Sequence, residues 1–182
     1  MNGPIELPQQ PSRRRLLQCA AIAPLLVFAS RPGALAAGGS RAAPRIVSIG
    51  GGVTEILFRL GAEAQLVGTD TTSLYPPAAQ ATPKVGYART LSAEGVLALR
   101  PSLLIASAAA GPPVVIEQLR QAGVAMVRAD PAHSIEALIA NVRTIALAIG
   151  RPEAGERLVS ELEDEWRRLQ AAMRVPATPP PV

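Results

Sequence analysis

Strand-like and helix-like stretches alternate from Arg45 onward, and this alternation restricts the fold more than any single motif does. Arg45-Ile-Val-Ser-Ile49 reads as a buried strand, Gly50-Gly51-Gly52 as a turn, and Thr54 to Leu60 as a short helix stopped by Gly61. Leu66 to Gly68 is a second strand. Ser92 is placed to cap a helix running through Leu99, and Pro101 marks its end. Leu103 to Ala106 is a third strand, Pro113 to Ala122 a helix opened by proline, and Val124 to Val127 a fourth strand. Strands separated by helices imply an α/β fold, a small parallel sheet with helices on both faces.

Two longer helices follow. Ser134 to Ile149 is mostly apolar, whereas Pro152 to Met173 is an amphipathic rod with Leu158, Leu162, Trp166 and Leu169 at spacings of three or four. On that stripe Trp166 reads as a packing anchor rather than a ligand platform. The chain then enters a proline-rich end at 175–182.

Open α/β sheets collect ligands at the carboxyl ends of their strands, which singles out the loops after Ile49, Asp70 and Ala106. The glycine run 50–52 lacks the spacing of a dinucleotide fingerprint, and Glu55 stands where a pyrophosphate would be repelled. The stretch from Thr71 to Pro101 is more informative. Aromatic residues make up only 3% of the chain, and both tyrosines, Tyr75 and Tyr87, fall here. Pro76 and Pro77 stiffen the backbone around Tyr75, so the phenol is presented on a rigid loop. Such a phenol can bind Fe(III) as phenolate, since a hard Lewis acid lowers the pKa of a coordinated oxygen and tyrosine is a haem ligand. The plainer reading is a half-buried tyrosine packed on its own loop. Tyr87 and Arg89 follow in a glycine-bearing loop, and Glu94 stands near a helix start.

Other chemistry finds little support. The formal charge of +4 belongs mostly to residues 1–36, which hold Arg13, Arg14, Arg15, Arg31 and Glu6. The remainder carries 14 basic and 13 acidic groups, net +1, which leaves no basic footprint for nucleic acid. Lys84, the one lysine, reads as a compositional habit. Cys19 is the only cysteine and His133 the only histidine, so neither a disulfide nor a strong transition-metal set can be assembled. His133 reads as a loop or cap residue before Ser134. Ser107 has no evident His and Asp partners, so no catalytic set is expected.

The first 36 residues read as an export signal. Ser12-Arg-Arg-Arg-Leu-Leu-Gln18 has the order of a twin-arginine signal, a short apolar run follows, and Ala34-Leu-Ala36 gives small residues for cleavage after Ala36. Cys19 leaves with this segment, and the mature protein is expected to be periplasmic, soluble and thiol-free.

Four stretches carry a resemblance: Tyr75-Pro-Pro, Lys84-Val-Gly-Tyr-Ala-Arg89, Leu91-Ser-Ala-Glu-Gly-Val-Leu-Ala-Leu-Arg-Pro101 and Leu103-Leu-Ile-Ala-Ser107. Through them residues 45–174 resemble bacterial periplasmic haem-binding proteins of ABC-type haem importers, within the larger group that binds cobalamin and ferric siderophores. The resemblance implies that Tyr75 is the axial ligand to haem iron, and that Tyr87 and Arg89 lie at the ligand, Arg89 by pairing with a propionate. It also implies that Glu94 docks the lobe on an ABC permease, which works with its ATPase at the inner membrane.

Family members have two lobes joined by a long helix. The expected organisation here is therefore a signal at 1–36, a substrate-binding lobe at 37–133, helices including the interlobe bridge at 134–174, and a proline-rich end at 175–182 with the second lobe absent. Haem would have one wall, and its affinity would fall below that of a two-lobed relative. A monomer is expected, with no reaction catalysed. Three alternatives stay open: a ferric-siderophore or cobalamin receptor, a truncated lobe that binds nothing, and an exported α/β enzyme or interaction module.

Overall fold

The computed structural model describes residues 43–173. The expected signal at 1–36 and proline-rich end at 175–182 lie outside them. Four parallel strands, β1 (Ile46–Ile49), β2 (Leu66–Thr69), β3 (Leu103–Ser107) and β4 (Ala125–Ala129), form one sheet in the order β2-β1-β3-β4. Helices α1 (Gly51–Arg59), α2 (Ala93–Leu97), α3 (Pro113–Gln121), α4 (Ile135–Ala148) and α5 (Pro152–Met173) complete the architecture.

Side chains of a strand alternate between its faces, and β1 and β3 use both. Ile46, Leu103 and Ile105 pack with Val53, Ile56 and Leu57 of α1 and with Val142 and Ile145 of α4. Val47, Ile49, Leu104 and Ala106 pack on the other face with Val96 of α2 and Ile116 and Leu119 of α3. Both central strands are thus sandwiched, which is why they read as continuous apolar runs. From β1 the chain moves outward to β2 and then returns past β1 to β3. The direction of winding reverses between β1 and β3, the place where a doubly wound sheet opens a crevice at its carboxyl edge.

Two helix boundaries and one strand end differ from the sequence reading. First, α1 begins at Gly51, inside the glycine run, because Gly50 turns the chain with φ 107°. A side chain on residue 50 would meet Ser107 Cβ and Oγ at 3.0 Å, and one on Gly51 would meet the Thr72 carbonyl oxygen at 3.1 Å. Gly50 and Gly51 are therefore needed for close backbone approach to the end of β3 and to the loop after β2. Second, α2 stops at Leu97 rather than Leu99, because Arg45 takes the carbonyls of Leu99 and Arg100 by side-chain hydrogen bonds of 2.8 and 3.1 Å. Arg100, before Pro101, has φ 47°. Third, β4 runs on to Ala129, pairing with Ser107 at the far end of β3.

Trp166 is also a correction. It is 37% exposed, Leu169 is 50% exposed, and only Gly155, Leu158 and Val159 of α5 are buried. The cause is length: the 14 residues of α4 span about 21 Å and the 22 residues of α5 about 33 Å, so cover from α4 ends near Trp166. Where the two helices do meet they meet closely, since a methyl on Gly155 would lie 2.5 Å from Ala146 Cβ.

Candidate functional site

The loop that leaves β2 is built on a buried carboxylate. Asp70 is fully buried and accepts from the backbone N–H of Gly50 at 2.8 Å, the backbone N–H of Thr72 at 3.0 Å and the Ser73 hydroxyl at 2.7 Å. The Thr72 hydroxyl is also bonded to it. Burial by itself would raise this carboxyl's pKa, but the Thr72, Ser73 and Gly50 donors outweigh it and the net shift is downward. A hydroxyl chain continues inward, Ser73 to Thr54 at 2.7 Å and Thr54 to Ser48 at 2.7 Å. One network therefore joins the β1–α1 glycine turn to the loop that follows β2.

Tyr75 stands on that loop, 63% exposed, beside Leu74 at 62% and before a cis Pro76 peptide bond. The plainer reading of a half-buried packing tyrosine is thus not met. Pro77–Ala81, read as part of an irregular loop, form a 3-10 turn with Ala79 buried beneath it. The base of the loop is closed by backbone bonds from Thr69 N–H to the Pro83 carbonyl and from Val85 and Thr71 N–H to the Thr69 and Gly86 carbonyls, each 2.9 Å. Tyr87 follows directly, 47% exposed. Thr90 N–H bonds the Tyr87 carbonyl, and Ala88 and Leu91 are tied to Gly111 after β3, which fixes the turn carrying Arg89. Arg89 is exposed, and among the described residues it makes no ion pair. Tyr75, Tyr87 and Arg89 therefore rise from one anchored loop system at the carboxyl end of β2.

Glu94 lies elsewhere, exposed in the first turn of α2, with Ser92 capping that helix by accepting from Gly95 N–H at 3.4 Å. It borders a shallow surface with Leu97, Ala98, Val115 and Gln118, between α2 and α3. His133 is exposed before Ser134, whose hydroxyl caps α4 by accepting from Ala137 N–H. Among the described residues no group of three His, Cys, Asp or Glu is arranged to hold a metal ion.

A concavity of about 380 Å³ opens at the crevice, lined by Gly50, Ser107, Ala129, Asp130, Leu138 and Asn141 among others. None of Tyr75, Tyr87 and Arg89 lines it. Asn141 is spent within the protein, donating to the Asp130 carbonyl at 2.8 Å and accepting from its N–H at 2.9 Å. The wall is otherwise mainly apolar, and the loop after β4 contributes to it, an element the sequence reading left out.

A family model described as periplasmic binding protein matches residues 46–182. The chain belongs to this periplasmic binding protein family. Its described residues have the fold of the amino-terminal lobe of the helix-bridged architecture. The haem-binding protein BhuT, solved in complex with two haems, is 42% identical with a TM-score of 0.68, covering 71% of this chain and 50% of that one. The haem-binding protein RhuT from Roseiflexus sp. RS-1, in apo form, is 40% identical with a TM-score of 0.71, covering 76% and 53%. A vitamin B12-binding protein of Pectobacterium carotovorum subsp. carotovorum (strain PC1) is 30% identical over 126 residues, 69% of this chain and 45% of that protein. The chain spans about half the length of these relatives. The family is one of binding proteins, not enzymes.

Two residues of this periplasmic binding protein escaped the sequence reading. Asp70 lies two residues beyond the predicted strand Leu66 to Gly68 and carries no visible signal beyond the Asp-Thr-Thr-Ser string, which is typical of a capped turn. Lys84 has an ammonium that donates to Thr69 Oγ1 at 2.8 Å, to the Ser73 carbonyl at 3.2 Å and to the Ala79 carbonyl at 2.9 Å. It is a structural cation and not a compositional accident.

Proposed function

We propose that the chain is the amino-terminal lobe of an exported substrate-binding component of an ABC importer, and that its cargo is haem held through the Tyr75 phenolate. The observation that carries this is Tyr75 itself, a phenol 63% exposed on a loop whose two ends are hydrogen-bonded to the sheet. Haem brings four equatorial nitrogens with its iron, so one protein oxygen completes an axial bond, whereas a bare iron ion would need a cluster of side chains. Leu74, also exposed, offers apolar surface to a porphyrin, and Arg89, which makes no ion pair among the described residues, offers its fork to a propionate. Tyr87 lies at the same ligand face. The haem-binding relatives are 40 and 42% identical, which supports haem over other cargo of the group.

A cobalamin reading is supported by the 30% identical vitamin B12-binding relative. Parallel titration of the purified chain with haemin and cyanocobalamin separates the two. A saturable Soret shift with haemin and no calorimetric signal with cyanocobalamin is expected. The reverse result replaces haem with cobalamin, and silence with both removes the binding role.

Delivery to a permease and its ATPase completes the proposal, with Glu94 as the contact on α2 and the lobe acting as a periplasmic monomer. A carboxylate exposed at a helix start suits pairing with arginine on a partner. Glu94→Arg is expected to leave haemin affinity unchanged and to lower stimulation of the transporter's ATPase about tenfold or more, as reversal of an interfacial charge does. Full stimulation by the variant would remove Glu94 from the interface.

A further inference from the structure

We propose that Lys84 is a positioning residue for Tyr75, holding the loop that presents the phenol in one conformation before any ligand arrives. The haem part of this rests on the function proposed above; the loop part does not. Of the 18 basic residues, Lys84 is the one lysine, and it stands where a single nitrogen meets three acceptors. Its single nitrogen meets three oxygens from three separate segments: Thr69 Oγ1 at the end of β2, the Ser73 carbonyl two residues before Tyr75, and the Ala79 carbonyl four residues after it. An ammonium has three N–H donors and uses all of them here, whereas no nitrogen of a guanidinium carries more than two.

The arrangement works as a clamp. Two of its three acceptors bracket Leu74-Tyr75-Pro76-Pro77-Ala78, and the third, on a fully buried threonine, joins the bracket to the sheet. Gln80 adds a second tie across the same span, its amide donating to the Leu74 carbonyl at 3.1 Å. The lysine is itself held at the base of the loop, since Val85 N–H bonds the Thr69 carbonyl and Thr69 N–H the Pro83 carbonyl. Among the described residues no carboxylate pairs with Lys84, so its charge is spent on backbone and hydroxyl oxygens and not on an ion pair. Its three bonds are half-buried, and each ends on an oxygen of the loop or of β2. For a ligand atom, such ordering determines how well the donor oxygen stays in place.

The test uses Lys84→Met, which keeps the aliphatic stem and removes the donors, beside Lys84→Arg, which keeps the charge. Hydrogen exchange reads the clamp without ligand. In Lys84→Met the Ala79 and Thr82 amides, bonded to the Pro76 and Ala79 carbonyls, are expected to exchange about tenfold faster or more, while strand amides of β1 and β3 keep their rates. Haemin affinity is expected to fall about 10- to 100-fold with a weakened ferric-phenolate charge-transfer band, the range found when a residue that orients a ligand is removed. Lys84→Arg should restore neither. Val142→Ala, which opens the core under α4, serves as a control that lowers thermal stability without altering either readout. Wild-type exchange at Ala79 and Thr82 in Lys84→Met overturns the clamp; faster exchange with unchanged haemin affinity and spectrum overturns the positioning role. Should the wild-type chain bind no haemin, the haem reading fails, and the exchange measurement still decides whether Lys84 holds the loop.

Discussion

Tyr75→Phe is expected to weaken haemin binding by roughly a hundredfold, about 3 kcal/mol, and to abolish the charge-transfer absorption of a ferric phenolate. The ring remains in this variant, so the contact surface of the loop is preserved and the loss isolates the oxygen. Coordination of a phenol to Fe(III) displaces its proton, and the resulting bond joins a hard anion to a hard cation. No neighbouring His, Cys, Asp or Glu cluster among the described residues offers a substitute ligand. Residual haemin affinity in Tyr75→Phe then measures what the apolar surface around Leu74 and the Arg89 fork contribute. Absorbance and resonance Raman titrations of the two proteins at equal concentration decide the point. An unchanged spectrum removes Tyr75 as the ligand and leaves Tyr87, the other tyrosine, to be tested in the same way.

The fold was legible wherever local chemistry and tertiary demand agree. Ile46–Ile49 and residues 103–106 are buried on both faces, so they announce themselves as apolar runs; Ser134, Pro113 and Pro152 mark helix starts through capping and φ restriction that act within a few residues. Features set by distant partners were not legible. The end of α2 depends on Arg45, about two strands away in sequence, and the exposure of Trp166 depends on the length of α4. A proline pair reads as a helix breaker, yet Pro77 at the first position of a 3-10 turn satisfies the same restriction on φ.

The candidate site divides along the same line. Tyr75 was visible because two prolines beside a rare aromatic residue imply rigid presentation, and the exposed ring agrees with that. Lys84 and Asp70 were invisible for a common reason. Their work is to join segments whose proximity exists only once β1, β2 and the loop at 83–86 are side by side. In sequence each is one charged residue at the margin of an apolar stretch. In the fold both hold the loop that carries Tyr75 and meet at Ser73, Lys84 through carbonyl oxygens and Asp70 through N–H and hydroxyl donors.

That division of labour gives Asp70 the larger effect on stability. Asp70→Ala leaves the Gly50 N–H and the Ser73 hydroxyl without their acceptor, and at about 1–3 kcal/mol for each the expected loss is about 2–6 kcal/mol, since the Thr72 N–H and hydroxyl sit on an exposed residue that water reaches. A domain with about 5–15 kcal/mol in total would be close to unfolding. Asp70→Asn is the more informative variant, because it keeps one oxygen for Gly50 and Ser73 while removing the charge. The native state lowers this carboxyl's pKa, so the folded protein releases the proton more readily than the unfolded chain does. Its contribution is present in full above the unfolded value of about 4 and is lost as pH falls through the lower native value. Wild type minus Asp70→Asn, measured by urea unfolding from pH 6 downward, should therefore shrink only below about pH 4, whereas the exposed Glu136 and Glu156, also lowered, act equally in both proteins and cancel. A difference that stays constant to the acid limit would mean that Asp70 acts through shape alone. A difference that closes on acidification identifies the carboxylate charge as the group that draws the glycine turn and the Tyr75 loop together, and haemin affinity should then decline over the same acid range.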